Sequence, residues 1–233
     1  MAQDPPPATE EGAFTASAVA RGYDRLAARY AAWADHVTPP LRERYAGVLS
    51  ERLSVSDRVL ELGCGTGTPV ASALSHDFAV VGVDLSWRML RLARRNAPRA
   101  RLVRADIASV AFQPRSFHGV AAFYSLIHVP RVHHAAVLAR VSRWLHPGGV
   151  LVASLGWQDL PAHRDPDWLG GGPMWWSFFD AGTNLDLLRQ AGLTVDHAEV
   201  IAQLEGRIEV SFLWVVAHKP PATRKLPPAR RSG

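Results

Sequence analysis

Between Ala16 and Trp33 the large apolar residues recur three or four apart, at Val19, Tyr23, Leu26, Tyr30 and Trp33, which gives a helix with one apolar and aromatic face. Pro39 and Pro40 then open a second helix that runs to about Leu53. From Asp57 the period changes to short β-rich runs alternating with helix-length segments. Strands are expected over 58–62, 79–83, 100–104, 118–124, 149–155, 194–201 and 208–217, and helices over 67–76, 86–96, 131–145 and 181–191. The early strands are almost continuously apolar, as in a parallel sheet covered on both faces with right-handed crossovers. No helix separates the last two runs, so the final strand is expected antiparallel, at or near the sheet edge. The pattern predicts a doubly wound α/β domain with a mostly parallel, seven-stranded sheet, an antiparallel last strand and an N-terminal helical lid.

Residues 1–13 and 219–233 are proline-rich and poor in large apolar side chains, so both are expected to be flexible. The remaining 14–218 make one domain, with 14–54 as the helical lid and 156–180 as an aromatic substrate loop. Removing the five basic residues from Lys219 onward and the acids Asp4, Glu10 and Glu11 leaves the body at +3, against +5 for the 233-residue chain. That modest charge gives no reason to expect a nucleic-acid partner. No apolar run approaches the roughly 20 residues of a membrane span, and the acidic, proline-rich start is unlike a signal peptide. One cysteine, Cys64, excludes an internal disulfide framework and a multi-cysteine zinc site. A cytoplasmic monomer or homodimer without a membrane or metal partner is the expectation.

The first strand runs into Glu61-Leu62-Gly63-Cys64-Gly65-Thr66-Gly67 and then a helix. Glycines at 63, 65 and 67 permit a tight turn and let backbone N–H groups approach a ligand. The spacing G-x-G-x-G differs from the dinucleotide fingerprint G-x-G-x-x-G. An acidic residue two places before the first glycine would repel a pyrophosphate and attract an ammonium. An amino-acid-bearing nucleoside fits better: an ammonium near the glycine loop, a ribose on the acid ending the second strand, an adenine beyond the third. Asp84, followed by Leu85, ends the second strand, and Asp106-Ile107 follows the third, where Ile107 would pack on the adenine. Alternatively, Asp84 caps the helix that opens at Ser86 and Asp106 begins a turn.

The series ELGCGTG, VVGVDLS, RADIASVAF, SFHGVAAFYSLIHVP and LHPGGVLVAS resembles the class I S-adenosylmethionine-dependent methyltransferases over about residues 20–217. The resemblance implies the Rossmann-like fold of that family and S-adenosylmethionine as cofactor. It implies that Gly63, Gly65 and Gly67 surround the methionine part, that Asp84 holds the ribose, and that Asp106 with Ile107 holds the adenine. The segment YDRLAARYAAW is similar to the family's substrate-side helix, which carries Tyr30, and with it Tyr23, toward the cofactor or acceptor; an aromatic stripe packed on the core is the alternative. Tyr124 and Ser125 would line the cofactor pocket.

Methyl transfer from a sulfonium needs in-line alignment and, for an oxygen acceptor, removal of a proton. His128, after the fourth strand in FYSLIHVP, sits at the carboxyl edge where ligands of such sheets bind and titrates near neutrality. It is the candidate base; packing under the next helix with a bond to a backbone carbonyl is the alternative. His163 is a weaker alternative base, and His133-His134 lacks partners at metal-ligand spacing. No Asn/Asp-Pro-Pro-aromatic loop follows the fourth strand, no Pro-Cys nucleophile is present, and FYSLIHVPR offers no carboxylate for magnesium. These departures disfavour nucleobase, glutamine and metal-dependent acceptors. The loop after the fifth strand carries Trp157, Trp168, Trp175 and Trp176, and a pocket roofed by aromatics suits a small, partly apolar acceptor. The reading is a metal-independent methyltransferase of a small molecule, acting at oxygen in secondary metabolism. Its rivals are an S-adenosylmethionine-binding cyclase or decarboxylase-like enzyme and a non-catalytic binding module.

Overall fold

The computed structural model describes residues 14–37, 40–205 and 208–221. Helices α1 (Ala16–Val37) and α2 (Leu41–Arg52) precede an alternating series: β1 (Arg58–Leu62), α3 (Val70–Leu74), β2 (Ala79–Asp84), α4 (Trp87–Asn96), β3 (Arg101–Arg104) and β4 (Phe117–Ala122). Helix α5 (His134–Trp144), β5 (Leu145–Leu155), β6 (Leu160–Asp165), β7 (Met174–Phe178), α6 (Ala181–Gln190), β8 (Thr194–Glu205) and β9 (Ile208–His218) complete it. Seven strands form one sheet in the order β3-β2-β1-β4-β5-β9-β8. The first five are parallel, and β9 pairs antiparallel with both β5 and β8. The antiparallel last strand is therefore present, one place in from the edge, because β8 pairs antiparallel along its outer side.

Successive residues of each strand serve opposite faces of the sheet. Leu60, Leu62, Val120, Ala122, Leu213 and Val215 enter a core closed by α5 and α6, whereas Val59, Ala121, Phe123, Trp214 and Val216 enter one closed by α2 and α3. Helix α1 leaves the sheet and makes a third cluster, in which Val19 and Leu26 meet Met174 and Trp175 of β7.

Four local differences from the sequence pattern have physical causes. The helix expected from residue 67 starts at Val70, because Gly67 sits at φ +81° and Pro69 forms the N-cap. The helix expected from 131 begins with a 3-10 turn at Arg131–His133 and becomes α-helical at His134. The segment read as an aperiodic loop holds a two-stranded hairpin of β6 and β7, with His163 opposite Trp176. Its periodicity is invisible because Met174, Trp175, Ser177 and Phe178 are all buried, so β7 shows no polar face. Lys219, placed at the start of the basic tail, is anchored: its Nζ donates to the carbonyls of Ser142 and Leu145 at 2.7 and 2.9 Å. The segments 1–13 and 222–233, and Pro39, lie outside the described residues. No described helix is long and apolar enough to cross a membrane.

Trp214 is fully buried, with Tyr45, Phe123 and Tyr124 at ring-centroid distances of 4.7, 5.4 and 5.6 Å. Trp214→Ala should cost about 3–5 kcal/mol in a denaturant titration, the usual range for emptying such a site, and Trp214→Phe clearly less.

Candidate active site

Strands β1, β2 and β4 are parallel, so the residues following them meet at one edge. The crevice lies between β1 and β4, where the strand order reverses, the usual ligand position in open α/β sheets. The glycine loop is held there by N–H groups of Gly63 and Cys64 that donate to the Val83 carbonyl at 2.8 and 3.0 Å. Gly63 is required twice over: its φ is +74°, and an added Cβ would stand 2.3 Å from the Cβ of Ser125.

Two carboxyl groups are buried in this crevice. Glu61 is 6% exposed, and its Oε2 has no hydrogen-bond partner among the described residues. Burial pushes its pKa up to about 8, against the opposing field of Arg42. Asp84 is pushed up to about 6, again chiefly by burial. Hydrogen bonds from the N–H of Ser86 to Oδ1 (2.8 Å) and of Gly65 to Oδ2 (2.9 Å) hold that rise in check. Buried polar atoms left without a partner cost free energy, and here Glu61 Oε2 and the Ser125 hydroxyl both line one cavity. The space it encloses, open solvent included, is about 710 Å³.

A second, larger cavity of about 1790 Å³ adjoins it. Tyr23, Tyr30, Tyr124 and His128 line both cavities and so stand at their junction. Tyr23 crosses Tyr30, His128 and Trp168 edge to face, with centroids 5.5, 5.3 and 5.9 Å away. The Nδ1 of His128 lies 2.7 Å from the Trp175 carbonyl, which can only accept, so that nitrogen carries the hydrogen. Nε2 is therefore the acceptor for the Tyr23 hydroxyl at 2.8 Å. Burial lowers the His128 pKa to about 4, so the ring is neutral at pH 7. Tyr124, at φ +51°, leaves β4 with its N–H on Ser154 Oγ (2.7 Å) and its hydroxyl on Gln203 Oε1 (2.9 Å).

The residues singled out in the sequence mostly converge. Tyr23, Tyr30, Glu61, Gly63, Gly65, Asp84, Leu85, Ile107, Tyr124 and His128 line the first cavity. Trp157 and Trp176 line the second, with Trp168 at the centre of its aromatic wall. Gly67 packs against Ala93 and is not a lining residue. Asp106 stands just outside the lining, with Oδ1 on the N–H of Ala108 at 2.8 Å, the turn role that was its alternative. Trp175 needs correction: its ring is buried in the α1 cluster, and only its carbonyl reaches His128. Trp175 follows Met174 in β7, so its side chain takes the face opposite to that of Trp176. His128 bonds a backbone carbonyl, as in its structural alternative, and also lines both cavities. Arg42, in the first turn of α2, lines the first cavity under Tyr124 and carried no signal in the sequence because it sits in no motif.

Residues 59–149 match the family model described as a methyltransferase domain. A trans-aconitate 2-methyltransferase of Methylobacterium nodulans is 35% identical over 141 residues, covering 59% of this chain and 52% of the relative. A 27-O-demethylrifamycin SV methyltransferase of Amycolatopsis mediterranei is 32% identical over 187 residues, covering 72% and 65%. The chain thus spans between half and two thirds of the length of these relatives. Among solved structures, a Burkholderia thailandensis 1,6-didemethyltoxoflavin-N1-methyltransferase with S-adenosylhomocysteine bound superposes with a TM-score of 0.67 at 22% identity, covering 94% and 93% of the two chains. Together these likenesses support a class I S-adenosylmethionine-dependent methyltransferase. S-adenosylmethionine is the cofactor of that family, and the orphaned Glu61 carboxyl beside Arg42 fits its zwitterionic amino-acid end.

The buried Glu61 carboxyl makes the ligand-free protein pH-sensitive. Its folded pKa lies above the ordinary 4.5, so its contribution is full below pH 4.5 and is lost as pH rises toward 8. Stability should fall between pH 6.5 and 8 by up to about 1.4 kcal/mol per pH unit from this group. Glu61→Gln should flatten that slope and raise the melting temperature at pH 8.

Proposed function

We propose that the chain transfers a methyl group from S-adenosylmethionine to a small-molecule acceptor at an oxygen atom, without a metal. The observation that carries this reading is the junction: a pocket with an orphaned acidic group opens onto an aromatic chamber, and Tyr23 and His128 stand between them. Among the described residues no group of three His, Cys, Asp or Glu side chains is placed to hold a metal ion.

The cofactor supplies an electrophilic methyl on a sulfonium. Glu61 would neutralise its ammonium, and Arg42, lining the same cavity, would attract its carboxylate. Asp84 would accept from the ribose hydroxyls through the lone pairs its two backbone bonds leave free. Leu85 and Ile107 offer apolar surface for the adenine, with Asp106 fixing the turn that presents Ile107.

At the junction the direction of the hydrogen bonds sets the chemistry. The Trp175 carbonyl holds the Nδ1–H tautomer, which leaves Nε2 as the basic atom. The Tyr23 hydroxyl donates to it, so its own oxygen keeps lone pairs for an acceptor hydroxyl. A proton leaving the acceptor can pass to Tyr23 while the Tyr23 proton passes to Nε2. The low pKa of His128 makes this pair a weak base, suited to an acceptor whose acidity rises as the methyl bond forms. The enclosing rings keep water from competing for the methyl.

With a competent acceptor, the product should gain one methyl and S-adenosylhomocysteine should appear in equal amount by mass spectrometry. Cyclisation or decarboxylation without added mass would overturn the reading. His128→Ala should lower kcat by roughly 10² to 10⁴ with cofactor affinity intact, and a fully active variant would exclude it as the base. Asp84→Ala should weaken cofactor binding by about 1–3 kcal/mol, the order for lost charge-assisted hydrogen bonds, measured by calorimetry.

A further inference from the structure

The family match ends at residue 149, whereas much of the larger chamber is built after it, from β6, β7, the adjoining ends of β8 and β9, and Trp168. The acceptor's chemistry must therefore be read from the chamber itself. Three carboxylate residues line it: Asp165 at the end of β6, Glu205 at the end of β8 and Glu209 at the start of β9. No lysine or arginine is among the described lining residues, and no salt bridge among the described residues joins any of the three. The other titratable groups facing the chamber are Tyr23, Tyr30, Tyr124, His128 and His163. His128 is buried and neutral, and His163 lies against Trp176 at 5.9 Å between ring centroids.

The same chamber is lined by a set of rings. Tyr30, Trp33 and Trp168 are mutually within 6.0 Å, and Trp168 meets Trp176 edge to face at 5.4 Å. The faces of tryptophan and tyrosine attract cations, and a low-dielectric pocket strengthens that attraction. The chain Tyr124 hydroxyl to Gln203 Oε1, then Gln203 Nε2 to Glu205 Oε1 at 3.0 Å, ties Glu205 to the junction with the cofactor pocket. Burial raises the Glu205 pKa, against the hydrogen bond from Gln203 and the field of Arg42.

We infer that the acceptor is an aromatic hydroxyl compound carrying a protonated amine, held with the amine among the tryptophans and the carboxylates at 165, 205 and 209 and the hydroxyl at Tyr23. This rests on the methyltransferase reading above and narrows its substrate class. The amine belongs in the chamber and not near the cofactor, because the cofactor's own sulfonium is a cation and like charges repel. The same field works against polycarboxylates: a tricarboxylic acid would meet three acidic side chains, with the Arg42 guanidinium acting on Glu205 from outside the lining. On this inference the acceptor differs from the trans-aconitate for which one relative is named.

Three phenols of matched shape separate the charge states: tyramine (cationic), p-cresol (neutral) and 4-hydroxyphenylacetate (anionic). Binding of each to the full chain saturated with S-adenosylhomocysteine is read by quenching of tryptophan fluorescence. Affinity should fall in that order by at least tenfold between the ends. Asp165→Asn, Glu205→Gln and Glu209→Gln combined should collapse the spread to about twofold. The variant's affinity for S-adenosylhomocysteine, unchanged, reports that it folds. Equal affinities, tightest binding of the anion, or no tyramine binding at millimolar concentration would overturn the inference. The same titration without S-adenosylhomocysteine keeps it separate from the cofactor reading: failure of the nucleotide to bind sinks the latter, while the order of the phenols still decides the former.

Discussion

A carboxyl group buried near the end of β1, beside the point where the strand order reverses, with one oxygen unbonded, is the feature on which the proposed function turns. Glu61 follows Leu60 in β1, and the alternation of that strand fills both cores with Val59, Leu60 and Leu62. Keeping an acid there costs stability, since burial raises its pKa to about 8. A fold that tolerates such a penalty gains when a cation arrives, because the ligand supplies what the protein withholds. Arg42 and Asp84 complete a cavity of mixed charge that matches an amino acid joined to a nucleoside.

The arrangement also explains why two cavities meet where they do. Parallel strands bring their carboxyl ends to one edge, and the loop after β4 carries Tyr124, Ser125 and His128 across it. Helix α1 lies over that edge and contributes Tyr23 and Tyr30, and it is held by Met174 and Trp175 of β7. Strand β7 thus acts on both sides: it packs α1 and fixes the His128 tautomer through a backbone carbonyl.

Much of this was legible in the amino-acid sequence. The glycine loop, Glu61 and Asp84 are local motifs whose spacing follows from strand length and turn geometry, and the structure brings them together. The aromatic stripe of α1 declared itself by period, though not that Tyr23 would reach a histidine 105 positions away. Long-range pairings of that kind leave no periodic trace. Trp175 and Trp176 could not be told apart, because β7, which points them to opposite faces, buries Met174, Trp175, Ser177 and Phe178 alike and shows no alternation. Arg42 and the acids at 205 and 209 stand in no motif, and only the folded packing of α2 and of the adjoining ends of β8 and β9 assembles them around the cavities.

Calorimetric titration of S-adenosylhomocysteine at pH 7, in buffers of different ionisation enthalpy, addresses the central claim that Glu61 awaits a cation. Ligand-free Glu61 is largely protonated at that pH, and pairing with the ligand's ammonium should ionise it. Binding should therefore release close to one proton, seen as a heat that varies with the buffer. Glu61→Gln should bind more weakly with buffer-independent heat, and NADH should not bind. Absence of S-adenosylhomocysteine binding, or a wild-type heat that is the same in every buffer, would contradict the account.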